Sequence, residues 1–322
     1  MRWGIAGPGS IAVGFANGLQ LLDDAELVAV GSRSKERAQD FALRYDIPNV
    51  HGSYDDLAAD PSVEAVYVAT PQSSHEQDTI RFLEAGKHVL CEKPFALNEA
   101  QGRRMVDAAH RSGTFLMEAM WSRFLPAYRE LRVLLDEEAI GEALFVEADF
   151  GMRRPFDPTD RLYDPARGGG GLLDLGVYPV QLASLVLGTP TSVAAIGRIG
   201  DSGVDEQVAA VLAHSGGRLA VVKTSLIANL SLTARIAGTD GVIEIPAFMH
   251  CPGSITVSQG RDRRVIDTSW EGDGLRFQVV EVHRCVAAGE LESPTMSHAE
   301  SLSILRTLDT IRNQIGLRFP GE

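Results

Sequence analysis

The chain has 322 residues, 44% of them hydrophobic and 23% charged, the balance of a soluble globular protein long enough for two domains. Thirty basic residues against 43 acidic ones give a formal net charge of −13. That argues against a nucleic-acid binder, which needs a basic face, and against docking on anionic membranes.

No apolar run approaches the length expected to cross a bilayer. MRWGIAGPGS begins a strand and a glycine loop at once, leaving no room for a cleavable leader. Cys91, Cys251 and Cys285 are far apart, and the eight histidines show no paired spacing. The expectation is free thiols in a reducing cytoplasm, with no metal site.

Residues 2–6 read as a short apolar strand, and 11–22 as a helix with Ile11, Phe15, Leu19 and Leu22 in register. A valine-rich strand at 26–32 and a charged helix at 34–44 follow. Strand 64–70 leads to a helix opened by Ser73 with Glu76 three residues on, a capping-box pattern, and closed by Gly86. KHVLCE is the next strand, Asn98 with Gln101 opens a helix that ends near Gly113, and 114–119 is a further strand. Strands separated by helices of this length predict an α/β fold with a doubly wound parallel sheet, a Rossmann domain over 1–120.

The pattern then changes. A helix is expected across 124–136, a long strand at 141–152, and a glycine entry with a helix over 168–188. From 190 to 268, short alternating strands turn at Gly216-Gly217, Asp240-Gly241 and Pro252-Gly253. They predict a large, mostly antiparallel open sheet. Two closing helices carry Leu275, Val279, Val282 and Val286, then Ile304, Leu308, Ile311 and Ile315. Residues 121–322 thus form an α+β domain for substrate binding and oligomerisation. The segment 223–238 is apolar enough to need cover, which predicts a homo-oligomer, a dimer or larger.

Residues 7–12, GPGSIA, form GxGxxA directly after a strand. Gly7 allows the sharp turn, and Gly9 lets a pyrophosphate approach the backbone. Ser10 and Ile11 open the helix whose N-terminus faces the phosphates, and Ala12 permits close packing. An NAD binder places an acid at the end of the second strand. Here Ser32 and Arg33 stand there, with no acid before Glu36. Both can bond a 2′-phosphate, and Arg37 one turn on can stack on adenine. The expected cofactor is therefore NADP, with NAD the less favoured choice.

In LCEKPFAL, Lys93 sits at a strand end between Glu92 and Pro94, on a backbone that the proline stiffens. In GGGGLLDLGVYPVQ, Asp174 and Tyr178 lie four apart, so on an α-helix they share one face. A tyrosine ordinarily ionises near pH ~10. A lysine cation nearby would lower that and make the phenol a usable proton relay.

GPGSIA, CEKPFALN, MEAMWSRFLP (117–126) and RLYDPARGGGGLLDLGVYPV (161–180) together resemble the glucose–fructose oxidoreductase/inositol dehydrogenase (Gfo/Idh/MocA) family over nearly the whole chain. MEAMWSRF points to one branch, which looks like the dimeric dihydrodiol dehydrogenases, also described as NADP-dependent D-xylose 1-dehydrogenases. The resemblance implies that Lys93 is catalytic and reaches the nicotinamide. Tyr178 stands where many relatives carry His, and the dihydrodiol branch likewise carries Tyr there. Asp174 would orient the site or bind a substrate hydroxyl. Glu92 would pair with Lys93 or touch the nicotinamide ribose. Thr70, Pro71 and His75 would lie near the cofactor, with a helix cap the other role for His75.

Trp121, Arg123 and Phe124, with Phe150 and Met152, are expected to line a substrate pocket for a sugar or a cyclic trans-diol. The implied activity is hydride transfer at a secondary alcohol. The alternatives are a non-catalytic NADP(H) sensor, which would lack the lysine or the tyrosine, and an NAD-dependent glycoside hydrolase.

Overall fold

The computed structural model describes residues 1–320 and 322. The chain forms two compact units. One comprises Met1–Phe124 and Glu271–Leu302, the other Leu125–Trp270 and Ser303–Glu322. The segment 271–302, grouped by the sequence reading with the second domain, belongs to the first unit.

The first unit runs β1 (Arg2–Ala6), α1 (Ser10–Leu19), β2 (Glu26–Gly31), α2 (Lys35–Tyr45), β3 (Asn49–His51), α3 (Tyr54–Ala59), β4 (Ala65–Val68), α4 (His75–Glu84), β5 (His88–Glu92), α5 (Glu99–Ser112) and β6 (Leu116–Ala119). The sheet order is β3-β2-β1-β4-β5-β6, with every pair parallel. This is the doubly wound nucleotide-binding order, whose strand direction of travel reverses between β1 and β4. Helices cover both faces of such a sheet, so β4, β5 and β6 are nearly unbroken apolar runs. Phe15 stacks on Tyr67 at 3.8 Å between ring centres, and Trp3 meets Phe15 edge-on.

Helix signals in the sequence are met in part. Ser34 Oγ accepts the Arg37 N–H and caps α2. Asn98 caps α5 through the Gln101 N–H at 2.9 Å, and Gly113 ends it at φ +65°. The Ser73–Glu76 capping box does not form. Residues 72–74 make a 3-10 turn, α4 has no side-chain cap, and Glu76 is drawn to Arg104. Helix α1 also stops at Leu19, three residues before the expected end.

The second unit begins with α6 (Pro126–Asp136), carrying its proline in the first turn, where no N–H is needed. It continues with β7 (Ala143–Gly151), α7 (Val177–Leu187), β8 (Ser192–Ile199), β9 (Asp205–Ala213), β10 (Leu219–Ser225), β11 (Ala234–Gly238), β12 (Gly241–Ile245), β13 (Ser254–Gln259) and β14 (Asp262–Asp267). The sheet order is β14-β13-β12-β11-β7-β10-β9-β8, antiparallel except for the β7–β10 pair. One helix, Pro165–Leu187, is long and apolar enough by length and composition to cross a bilayer, against the sequence expectation. The stretch takes in the turns before α7 as well as α7 itself, and 83% of its most apolar 18-residue window is buried inside the fold.

Two helices follow the sheet, α8 (Arg276–Ala287) and α9 (His298–Ile315). Helix α8 packs in the first unit. Trp3 Nε1 donates to His283 Nε2 at 3.0 Å, and a Cβ on Gly18 would lie 3.0 Å from the Arg276 nitrogen.

Candidate active site

At the start of the first unit, Gly7 takes φ +92° and donates its N–H to the Gly31 carbonyl at 3.0 Å. A Cβ there would stand 2.9 Å from the Ala69 oxygen, so no side chain fits. Gly9 differs, because a Cβ on it would meet nothing within 4 Å. Helix α1 starts directly after it with no side-chain cap and no acid in its first turn. First-turn N–H groups and the positive helix end therefore face open space, the arrangement a pyrophosphate requires. Ser10 and Ile11 are exposed at that lip.

Past β2, Ser32 is buried and its Oγ accepts the Ser34 N–H at 3.2 Å, while Arg33 and Arg37 are exposed. Arg33 helps line a cavity of about 390 Å³ with Tyr54, Thr70, Pro71, Ser74 and Arg81. Burial and the Asp78 charge push the Tyr54 phenol up, against the pull of Arg33, Arg37 and Arg81. Two guanidinium groups, of Arg33 and Arg81, thus line one pocket together with Asp55 and Asp78, and Arg37 acts on Tyr54 beside it. Arg81 is held by Asp78 at 2.5 Å and by Asp55 at 2.6 Å. Tyr54 and Arg81 escape the sequence reading because β3 has three residues and α3 six. The Ser53 cap, accepting the Asp56 N–H, was the one available signal.

At the same carboxyl edge of the sheet, three strands along from β2, Lys93 follows β5 half-buried. The Glu92 carboxylate is fixed by the Tyr67 hydroxyl at 2.5 Å, and its other oxygen accepts the Lys93 N–H at 3.2 Å. The Lys93–Pro94 bond is cis. His75 is 1% exposed, with Nδ1 2.9 Å from the Pro94 carbonyl and Nε2 3.0 Å from the Thr70 carbonyl. Burial, with a smaller push from the Lys93 charge, lowers its pKa to about 4, so the ring is neutral and donates to one of the two. The His75 ring thereby spans two loops through backbone oxygens and does not cap α4, while its backbone N–H closes the 3-10 turn 72–74.

Of the expected pocket residues in this unit, Trp121 is half-buried, whereas Arg123 and Phe124 are buried. Arg123 forms an ion pair with Glu300 at 2.5 Å. Nearby Glu118, which the sequence reading passed over, is fully buried. Burial pushes its carboxyl up to about 7, against opposing effects of Ser301, the Phe95 N–H and Arg123.

In the second unit, Asp174 does not sit on a regular α-helix. Leu172–Gly176 is a π turn, and α7 begins at Val177. In a regular helix, Pro179 would lack the N–H for the Leu175 carbonyl and its ring would clash there. The widened turn lies directly upstream, a feature common at functional sites. Tyr178 and Asp174 are 5% and 8% exposed. Arg161, also missed, donates to Asp174 Oδ1 at 3.0 Å.

The glycine run is built for close approach. A Cβ on Gly169 would lie 2.7 Å from two carbonyl oxygens, those of Arg161 and Leu162. Asp205 Oδ2 accepts the Leu172 N–H at 2.6 Å, at the entry to the π turn. Phe150 packs 5.3 Å from the Tyr178 ring centre, and His250 stacks on Phe150 and tilts against Tyr178 at 5.0 Å. Nothing in the sequence pattern links His250 to this group, because it reaches Tyr178 from the loop between β12 and β13. Met152 is half-buried, and its N–H donates to the Ser225 carbonyl.

A parallel sheet in Rossmann order, with a glycine turn opening onto an uncapped helix, defines a dinucleotide-binding oxidoreductase domain. Residues 1–120 match the oxidoreductase family with the NAD-binding Rossmann fold, and 128–244 match the GFO/IDH/MocA C-terminal domain. The chain belongs to the GFO/IDH/MocA oxidoreductase family.

It is 38% identical to trans-1,2-dihydrobenzene-1,2-diol dehydrogenase of Xenopus laevis over 99% of each chain. The Danio rerio protein of the same name is 39% identical over 99% of this chain and 98% of its own. Among solved structures, KijD10 is a 3-ketoreductase from Actinomadura kijaniata in complex with NADP and TDP-benzene. It superposes with a TM-score of 0.89 at 28% identity, covering 98% of both chains. The aldose-aldose oxidoreductase from Caulobacter crescentus, complexed with glycerol, gives 0.89 at 25% identity, covering 98% of this chain and 97% of its own.

Proposed function

We propose that the chain is an NADP-dependent dehydrogenase acting on a secondary alcohol of a sugar or a cyclic trans-diol. The observation that carries the cofactor choice is the pocket that Arg33 and Arg81 help line, with no acid at the end of β2. The substrate class rests on full-length likeness to diol dehydrogenases and on the likeness to the KijD10 and aldose-aldose enzymes.

Gly7, Gly9 and the N-terminus of α1 would hold the pyrophosphate, with Ser32 and Arg33 on the 2′-phosphate. When bound, NADP supplies a hydride acceptor. Tyr178 takes the hydroxyl proton as general base. Lys93 polarises the same substrate oxygen, and its charge favours the phenolate. Asp174, held by Arg161, orients the hydroxyl. Phe150 and His250 back the Tyr178 ring and exclude water from it.

The test is a screen of pentoses, hexoses, inositols and cyclic diols for NADPH formation, followed by two substitutions. Lys93→Met and Tyr178→Phe should each lower turnover by about 10²–10⁴, the size of a general acid–base contribution. The double variant should lose little more, because the two groups act as a unit. NADPH affinity should persist. Normal turnover in Lys93→Met would overturn the mechanism. Glycoside cleavage without net redox would overturn the reaction class.

We also propose a homo-oligomer. On the outer face of the second sheet, Ala194 and Val221 flank Val211 in register, and Ile196 lies beside Ala209. Ile196 is 83% exposed and Val211 42%. This apolar surface lies on β8–β10, whereas much of 223–238 is loop or interior. A second copy is the occupant this reading favours, because strands of the same pattern can pack face to face.

A further inference from the structure

Strand β6 carries a carboxyl that the mechanism above leaves unused. Glu118 is 2% exposed and lies between Met117 and Ala119, both wholly buried. Its Oε1 accepts the N–H of Phe95 at 3.1 Å. Its Oε2 has no hydrogen-bond partner among the described residues. A buried carboxyl is costly to keep, and a buried one with an idle oxygen more so. A leucine would fill this place in an apolar strand at lower cost, so the carboxyl calls for an account.

Its hydrogen bond to the Phe95 N–H supplies that account. Phe95 ends the tripeptide Lys93-Pro94-Phe95, and the peptide units on either side of the Lys93–Pro94 bond are fastened, the second at both its carbonyl and its N–H. The Lys93 N–H is held by Glu92 Oε2 at 3.2 Å, the Pro94 carbonyl by His75 Nδ1 at 2.9 Å, and the Phe95 N–H by Glu118. The first is a contact between chain neighbours, and the second comes from α4. Glu118 fastens the loop to the adjacent strand β6. Its loss would leave a buried N–H unpaired and let the segment downstream of Lys93 shift.

We propose that Glu118 is a positioning residue for Lys93, holding the Pro94–Phe95 backbone so that the ammonium reaches the substrate oxygen. The proposal rests on the reading of Lys93 as catalytic, and the experiment separates the two.

Glu118→Gln keeps a carbonyl oxygen for the Phe95 N–H and should retain turnover within about threefold, since the hydrogen bond survives. Glu118→Leu removes the acceptor. Should that chain fail to fold, Glu118→Asp serves instead, because it keeps the acid and draws it back by one methylene. In the variant used, turnover should fall by about 10²-fold, the scale of a 1 Å misplacement of a reacting group. NADPH affinity should stay within about threefold, because the phosphates are bound at the glycine turn.

In a Lys93→Met background, the same Glu118 change should cost no further turnover, whereas a general structural defect would lower it again. Normal turnover in Glu118→Leu or Glu118→Asp overturns the positioning role, as does equal damage in Glu118→Gln. If Lys93→Met alone is fully active, the reading of Lys93 has failed instead.

Discussion

Asp205 offers a test in which the structure sets both sign and size. It opens β9, is wholly buried, and accepts the Leu172 N–H at 2.6 Å, while its Oδ1 has no hydrogen-bond partner among the described residues. Burial raises its pKa from 3.8 to about 7, with the backbone N–H groups of Leu172 and Gly171 opposing. Between those values the folded protein holds a proton that the unfolded chain has released, so stability falls as pH rises through this window and levels off above it. The whole gap corresponds to about 4 kcal/mol.

Asp205→Asn removes the titration and keeps an acceptor for Leu172. Any cost of placing an amide there is the same at every pH, so the pH dependence isolates the carboxyl. From about pH 5 to about pH 8 the variant should gain about 2–3 kcal/mol on the wild type. Urea unfolding at the two pH values measures it through the shift in midpoint. A constant difference between the two proteins, or a variant that loses ground at high pH, would refute the assignment of a protonated Asp205 at neutral pH.

Arg33→Asp should weaken NADP binding by about 30- to 150-fold, the scale of about 2–3 kcal/mol for a charge-assisted bond, and leave NAD little changed. Fluorescence titration with both cofactors decides it, and equal weakening would point to misfolding. Gly169→Ala places a methyl against two backbone oxygens and should cost about 1–3 kcal/mol or more, together with turnover, since the π turn carrying Asp174 must shift. A thermal melt and a rate measurement check it, and an unchanged variant would show that the run tolerates side chains. Light scattering at micromolar concentration should give a multiple of the 34.7 kDa chain, and Ile196→Lys should reduce that mass. A wild-type mass of one chain would remove the oligomer proposal.

By itself, the sequence determined the parallel first sheet, the antiparallel second one, the glycine turn at Gly7 and the place of Lys93 after β5. Each is a local matter, written in hydrophobic period or in a residue whose backbone permits one conformation. Pairing at a distance was decided only by tertiary structure. Periodicity showed that 275–286 is a helix with an apolar face, yet not that this face belongs with Trp3 and Gly18 in the first unit. Ser73 and Glu76 carried a cap signal that lost to the 3-10 turn before α4 and to Arg104. Arg123, expected at a pocket wall, is buried and pairs with the half-buried Glu300, 177 residues away. Glu118 sits in an apolar strand and Asp205 at the buried start of another, where a charge is costly, and no spacing rule singles them out. Their meaning lies in the backbone N–H groups of Phe95 and of Leu172, brought within reach by packing.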